Sequence, residues 1–342
     1  MSNPQRSTLA AVTLFFVAPL VAEYLLGDFP ITFLSPLVTM APLYGGGALL
    51  IRELTRRSGR GWPTILVLGC AYALIEEGYT TQTLFNPDIF GRHWRLLSHA
   101  WIPSLGIGAW WTLFMLNVHS FWSMGVSIAL VEGLFPSRAR TIPGTPWLGK
   151  IGLAVAAVLY AFGAWASTAY MLHKYRFVAS TAQFAVTGVV CILLIAAAFV
   201  LPAPAPRTSA GAAPSPWLSG LAAFLLGFAV FLAPIHLNWF AVAWILAADL
   251  VFLVSLWAFS RRSSWTALHT FSIGAGGALV YAVHAFVQNP ISRTPKGIAL
   301  ASHAFLLALA MAVIAFGARR TRSSVAMVVN THPEQAQPVT PS

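Results

Sequence analysis

An all-α, polytopic integral membrane protein of about ten transmembrane helices is predicted from three observations. Hydrophobic residues make up 58% of the 342-residue chain. Charged residues make up only 8%, against roughly a quarter in soluble domains. The apolar residues are gathered in runs of about 20, the length at which a helix crosses a bilayer. A soluble globule of this length would need many more polar side chains to cover it. The net charge of +11, from 20 Lys+Arg against 9 Asp+Glu, falls in short clusters between apolar runs. It therefore reads as topology signals facing anionic lipid, with the bilayer as partner and no nucleic acid.

The spans are read in order as 9–27, 31–51, 62–83, 105–134, 148–172, 182–201, 216–234, 238–259, 265–287 and 297–317. The first stays a helix because Arg6 is a weak basic region and no small-x-small cleavage pattern surrounds Leu20-Val21-Ala22, as a signal peptide requires. Gly45-Gly46-Gly47 in the second and Gly274-Ala275-Gly276-Gly277 in the ninth mark close helix packing. They are no phosphate loops, which need a strand and a lysine. Asn289-Pro290 ends the ninth, since a proline disfavours helix in the residue before it. Cys70 and Cys191 both fall inside spans and read as buried small hydrophobes.

The Pro/Ala-rich segment 202–215 reads as an extended cytoplasmic linker. It divides a six-helix bundle, 1–201, from a four-helix segment, 216–317, and residues 318–342 read as a disordered cytoplasmic tail. The loop 85–101 mixes Trp and Phe with Arg and His, as interfacial segments do, and is placed on the outer surface as a lid. No repeat supports an inverted-repeat transporter. An even helix count with the amino terminus inside puts Arg6, Arg52, Arg56, Arg57, Arg60, Arg138, Arg140, Lys150, Arg207, Arg261, Arg262, Arg319, Arg320 and Arg322 in the cytoplasm. Arg92, Arg95, Lys174, Arg176, Arg293 and Lys296 lie outside. The positive-inside rule then puts both termini in the cytoplasm, and the Ala/Arg/Trp-rich composition is taken to mean a plasma membrane.

With charge so scarce, every ionisable residue inside a span matters, since one at a helix centre costs roughly 2.5–3.5 kcal/mol on insertion scales. Glu23 and Glu132 sit near helix ends and are expected to reach headgroup water. Glu76 and Glu77 form the strongest signal. Adjacent α-helical residues point about 100° apart, so the two carboxylates are expected to take different jobs, one facing a cavity and one holding a neighbouring helix, with Thr80 and Thr81 one turn beyond. His119 lies at a matching depth on the next helix, with Asn117 and Ser123 nearby. Asp249 stands in mid-span with His284 and His303 as candidate partners, and His284 and Gln288 share a helix face one turn apart. No cofactor is expected. A metal bound by Glu76, Glu77 and His119 is set aside because adjacent glutamates are expected to diverge.

At Glu76-Glu77 the sequence resembles the CPBP family, the CAAX- and bacteriocin-processing intramembrane proteases, whose motifs are Glu-Glu-x-x-x-Arg, Phe-x-x-x-His and a later His-x-x-x-Asn. Here Thr80 or Thr81 stands in place of the arginine, Phe114 precedes His119 by five residues, and His284 with Gln288 takes the third motif. The resemblance covers the first six helices. It implies a glutamate acting as general base on water, with histidine and amide groups stabilising the oxyanion.

Three readings stay open. One is a hydrolase with catalytic Glu76, Glu77 and His119, with Asn117 or Gln288 assisting, acting on a membrane-embedded peptide or small apolar substrate. The second is a proton-coupled carrier using these residues and Asp249. The third is a non-catalytic scaffold.

Overall fold

The computed structural model describes residues 4–136, 144–203, 211–292 and 294–331. Among the described residues ten helical rods follow one another: α1 (4–25), α2 (37–57), α3 (62–80), α4 (Ala109–Leu134), α5 (Lys150–Tyr175), α6 (Thr181–Val200), α7 (Pro216–Phe231), α8 (Trp239–Ser260), α9 (Ala267–His284) and α10 (Lys296–Thr331). Six are long and apolar enough to cross a bilayer: α1, α4, α5, α6, α8 and α10. The others are shorter or less uniformly apolar, although α7 is an apolar helix of 16 residues.

Burial sorts the rods into a centre and a rim. The apolar window of α4 is 83% buried, whereas those of α5, α6, α8 and α10 are 11–22% buried. These four rods are apolar over most of their surface, with Asp249 of α8 an exception, and present Val, Leu, Phe and Ala side chains outward, as membrane spans do. The centre, α4 with α1, α2, α3 and α9, gathers the polar residues and the glycines. A Cβ on Gly276 would overlap the Gly220 carbonyl, and one on Gly45 would overlap the Phe15 carbonyl, so the glycine clusters do mark close backbone approach. Both cysteines are free thiols.

One end of the bundle is held by a buried ion-pair cluster. Arg52 pairs with Glu53 at 2.5 Å and with Glu132 at 3.1 Å, and Arg56 pairs with Glu132 at 2.7 Å. Trp147 covers Arg52, whose guanidinium carbon lies 3.3 Å from the ring centroid. Glu53 accepts from the amides of Trp147 and Leu148. Glu132, expected to reach headgroup water, keeps 19% of its side chain exposed but turns its carboxylate to two arginines from α2, distant in sequence.

At the opposite end, residues 85–108 cap the bundle. Two short turns, Ile89–Gly91 and Leu96–Ser98, lead into a hairpin pairing Trp101–Ile102 with Ile107–Gly108. The cap reaches across the rods. Arg92 donates to the Ile291 carbonyl at 2.9 Å, Asn238 Oδ1 accepts from the Ala100 amide at 3.2 Å, and Gln183 Nε2 donates to the Leu105 carbonyl at 3.3 Å.

The rods follow the expected spans with two shifts. α2 starts only at Leu37, after Pro30 and Pro36, and runs on to Arg57. α10 continues to Thr331, through the first part of the segment expected to be a disordered tail. Residues 332–342, the middle of the linker (204–210), and Arg138, Arg140 and Arg293 lie outside the described residues.

Candidate functional site

Four central rods widen from α to π turns: Leu20–Leu25 in α1, Ala41–Gly45 in α2, Glu76–Thr80 in α3 and Val118–Val126 in α4. A π turn closes i→i+5 hydrogen bonds and recurs at functional sites. In α3 this bond runs from the Thr81 amide to the Glu76 carbonyl at 2.7 Å. Each π turn supplies a polar side chain to one cluster: Glu23, Tyr44, the pair Glu76 and Glu77, and His119.

The imidazole of His119 lies between the two adjacent glutamates. Its Nε2 is 2.7 Å from Glu77 Oε1 and its Nδ1 is 3.3 Å from Glu76 Oε2. The expectation that these acids diverge is therefore corrected. The π turn changes the angle between them, and an imidazole presents nitrogens on two sides, so two carboxylates reach one ring. Glu76, Glu77 and His119 are 2%, 6% and 3% exposed, so the cluster is enclosed by protein.

Hydrogen bonds extend the cluster both ways. Tyr44 Oη lies 2.5 Å from Glu76 Oε1 and 2.6 Å from Glu23 Oε1. A hydroxyl carries one proton, so Tyr44 donates to one carboxylate and accepts from the other, which must then hold a proton of its own. Glu77 Oε2 accepts from Thr81 Oγ1 at 3.0 Å and from Thr83 Oγ1. Trp111 Nε1 donates to Thr83 Oγ1 at 3.4 Å. Ser123 Oγ is 3.4 Å from His119 Nδ1. The ring of Tyr44 stacks on His119 with centroids 6.1 Å apart, and that of Tyr72 lies at 5.9 Å.

Of the residues expected here from sequence, Glu76, Glu77, His119, Thr81 and Ser123 come together, and Thr80 is buried on the same π turn. The others go elsewhere. Asn117 Nδ2 donates to Asp249 Oδ2 at 3.0 Å, so Asp249 has Asn117 as its partner, while His284 packs on Phe231 and His303 on Phe286. Asn117 is two residues from His119 and so projects from another side of α4. Gln288 lies beyond the end of α9 and donates to Asp28 Oδ1 at 2.7 Å, in the turn after α1. Burial pushes the Asp28 carboxyl up to about 6, and the Gln288 hydrogen bond acts in the opposite sense.

Glu23, Tyr44, Thr83 and Trp111 join the cluster without having been singled out as site residues. Glu23 is corrected from a surface-seeking acid to a partner of Tyr44. Tyr44 carried one usable signal, a hydroxyl inside an apolar span.

Fold and cluster together define a multi-pass helical membrane protein with a polar centre. The model of an uncharacterized membrane protein family matches residues 12–319, and the chain belongs to that family. No CPBP match accompanies it, so that resemblance rests on the motif residues alone. No curated protein and no solved structure matches the chain.

Proposed function

We propose that the chain is a membrane-embedded hydrolase that activates water at Glu76, His119 and Glu77. The observation that carries this reading is the buried imidazole with a carboxylate at each nitrogen, 2.7 and 3.3 Å away. Such a unit accepts a proton from water at one face and passes it on at the other, the task of a general base that later acts as acid. The water oxygen attacks the carbonyl carbon of a bilayer-borne peptide or small apolar substrate, the bond to the leaving group breaks, and the stored proton goes to the leaving atom. Trp111 Nε1, held to Thr83 by a long 3.4 Å bond, supplies the donor for a developing oxyanion. The cluster is enclosed, so substrate reaches it when the cap 85–108 lifts. With the basic end in the cytoplasm of a plasma membrane, both termini are cytoplasmic and the cluster opens outward.

The test is hydrolysis of a pooled library of transmembrane peptides in proteoliposomes, read by mass spectrometry for the wild type and for Glu77→Gln. Cleavage products from the wild type alone are expected. Identical product sets, or none, with folded protein in both preparations, sink the reading.

A second reading, a proton-coupled carrier, is favoured by one further observation: Glu23, Tyr44, Glu76, His119, Glu77 and Thr83 form a continuous polar chain. It predicts that the wild type, unlike Glu76→Gln, dissipates an imposed pH gradient when substrate is present.

A further inference from the structure

We propose that Glu76 and His119 hold a divalent transition-metal cation, with Glu77 orienting the imidazole from behind and Glu23 the next carboxylate across Tyr44.

The two nitrogens of His119 differ in what they face. Nε2 meets Glu77 Oε1 at 2.7 Å, the length of a charge-assisted hydrogen bond. A neutral imidazole carries one N–H, and with that proton on Nε2 the Nδ1 lone pair faces Glu76. There the contact is 3.3 Å, and Glu76 Oε2, although buried, has no hydrogen-bond partner. Two lone pairs facing each other repel unless a positive species sits between them. A proton would draw the atoms into an aligned bond of about 2.7–2.9 Å. A metal would hold nitrogen at about 2.0–2.1 Å and oxygen at about 2.0–2.2 Å, which in tetrahedral geometry sets them roughly 3.4 Å apart. The observed contact has the separation of two ligands on one ion.

Behind the ring stands a second carboxylate. A metal-bound histidine almost always donates its other N–H to a carboxylate or carbonyl, which fixes the tautomer and raises the basicity of the ligating nitrogen. Glu77 occupies that position, itself held by Thr81 and Thr83. One ligand atom from each of Glu76, Glu77 and His119 falls within 4.8 Å of the other two.

Three carboxylates, Glu23, Glu76 and Glu77, are joined through Tyr44 and direct contacts to a single imidazole, His119. That is an excess of carboxylates in a low-dielectric interior, where buried charges are paired or coordinate metals. A dication offsets them. Imidazole and carboxylate ligands without thiolate suit Zn²⁺, Mn²⁺ or Fe²⁺.

Binding stands on this geometry alone, while the use of the ion to polarise water rests on the hydrolase reading. The experiment takes full-length protein in detergent, strips it with a chelator, and titrates it separately with ZnCl₂ and MnCl₂ by calorimetry. X-ray absorption of the zinc form needs no variant. One ion per chain is expected, with imidazole scattering in the absorption spectrum. Glu76→Gln and His119→Gln are expected to weaken binding at least 100-fold, and Glu77→Gln about 10- to 100-fold. Absence of stoichiometric uptake, a zinc site without imidazole scattering, or folded Glu76→Gln protein with unchanged affinity overturns the proposal. Stoichiometric binding without hydrolysis of any peptide upholds the ion site and sinks the hydrolase reading. Hydrolysis by protein that binds no ion does the reverse.

Discussion

Tyr44 and Glu23, 21 residues apart in sequence, meet through a hydrogen bond of 2.6 Å inside the bundle, and the same hydroxyl lies 2.5 Å from Glu76. One phenol thus joins α1, α2 and α3 at a single oxygen. It also fixes how many protons the three groups share, so any change at Tyr44 is felt by both carboxylates.

Tyr44→Phe keeps the ring and removes that oxygen. The buried Glu76 carboxylate and the half-buried Glu23 carboxylate lose a partner, at a cost of about 1–3 kcal/mol where the group left unsatisfied is buried. The expected outcome is a lower thermal midpoint in detergent, largely recovered in the double variant Tyr44→Phe with Glu23→Gln. A midpoint equal to wild type shows that the hydroxyl holds nothing together.

The cluster at the basic end predicts a contrast between two charges. Glu132→Gln leaves Arg52 and Arg56 buried without their shared carboxylate, and breaking such a pair costs about 3–5 kcal/mol. Arg57, 30% exposed and at a long 3.8 Å from the buried Glu53, keeps its guanidinium partly in water, which screens the pair to about 1 kcal/mol or less. Chemical denaturation in mixed micelles should show a large loss for Glu132→Gln and a small one for Arg57→Gln. Equal losses would mean that the buried cluster does not secure this end.

Asp28 sets a pH dependence. Its carboxyl is raised to about 6 in the folded protein by burial, against about 3.9 in an unfolded chain. The folded state therefore binds the proton more tightly. Its stabilising contribution is fully present below about pH 4 and is lost as pH rises through about 6. Asp28→Asn removes this titration, so the variant should melt above wild type at pH 7.5 and the gap should close by pH 4. A gap that widens on acidification refutes the assignment.

Packing makes a fourth prediction, between α7 and α9. A side chain at Gly276 would overlap the Gly220 carbonyl, whereas nothing lies within 4 Å of a Cβ at Gly297 in α10. Gly276→Val forces backbone apart and should cost more than the roughly 1–3 kcal/mol of ordinary overpacking. Gly297→Ala should be neutral or stabilising by up to about 1 kcal/mol. Size-exclusion profiles and thermal midpoints in one detergent separate the two, and a well-folded Gly276→Val protein would contradict this packing.

Membrane residence and the helical character of the chain were legible because a bilayer demands long apolar runs; among the described residues six helices are long and apolar enough to cross one. Glu76, Glu77 and His119 were legible for the complementary reason: a titratable residue inside such a run is costly enough to stand out. Legibility ended where helix regularity was assumed. An α-helical spacing makes Glu76 and Glu77 diverge, and only the π turn and the two-sided imidazole reunite them. Glu23 and Glu132 looked surface-seeking because they lie near helix ends. Their partners, Tyr44 on one side and Arg52 and Arg56 on the other, come from rods far along the chain. Asn117 looked like an assistant to His119 because it is near in sequence, yet its place on α4 aims it at Asp249.

The four π turns carry a consequence for how such a site is encoded. A π turn is an α turn with one surplus residue, so each of Glu23, Tyr44, the Glu76–Glu77 pair and His119 sits at a local insertion. Removing a single residue from one of these turns restores α geometry there: the flanking helix keeps its place, while side chains within the turn return to a spacing of about 100°. A chain shortened in this way would keep both glutamates and the histidine in its sequence, yet their side chains would no longer share a meeting point. Residue identity supplies the chemistry here, but the reading frame of four helices supplies the address, and single-residue deletions test the address with the chemistry left intact.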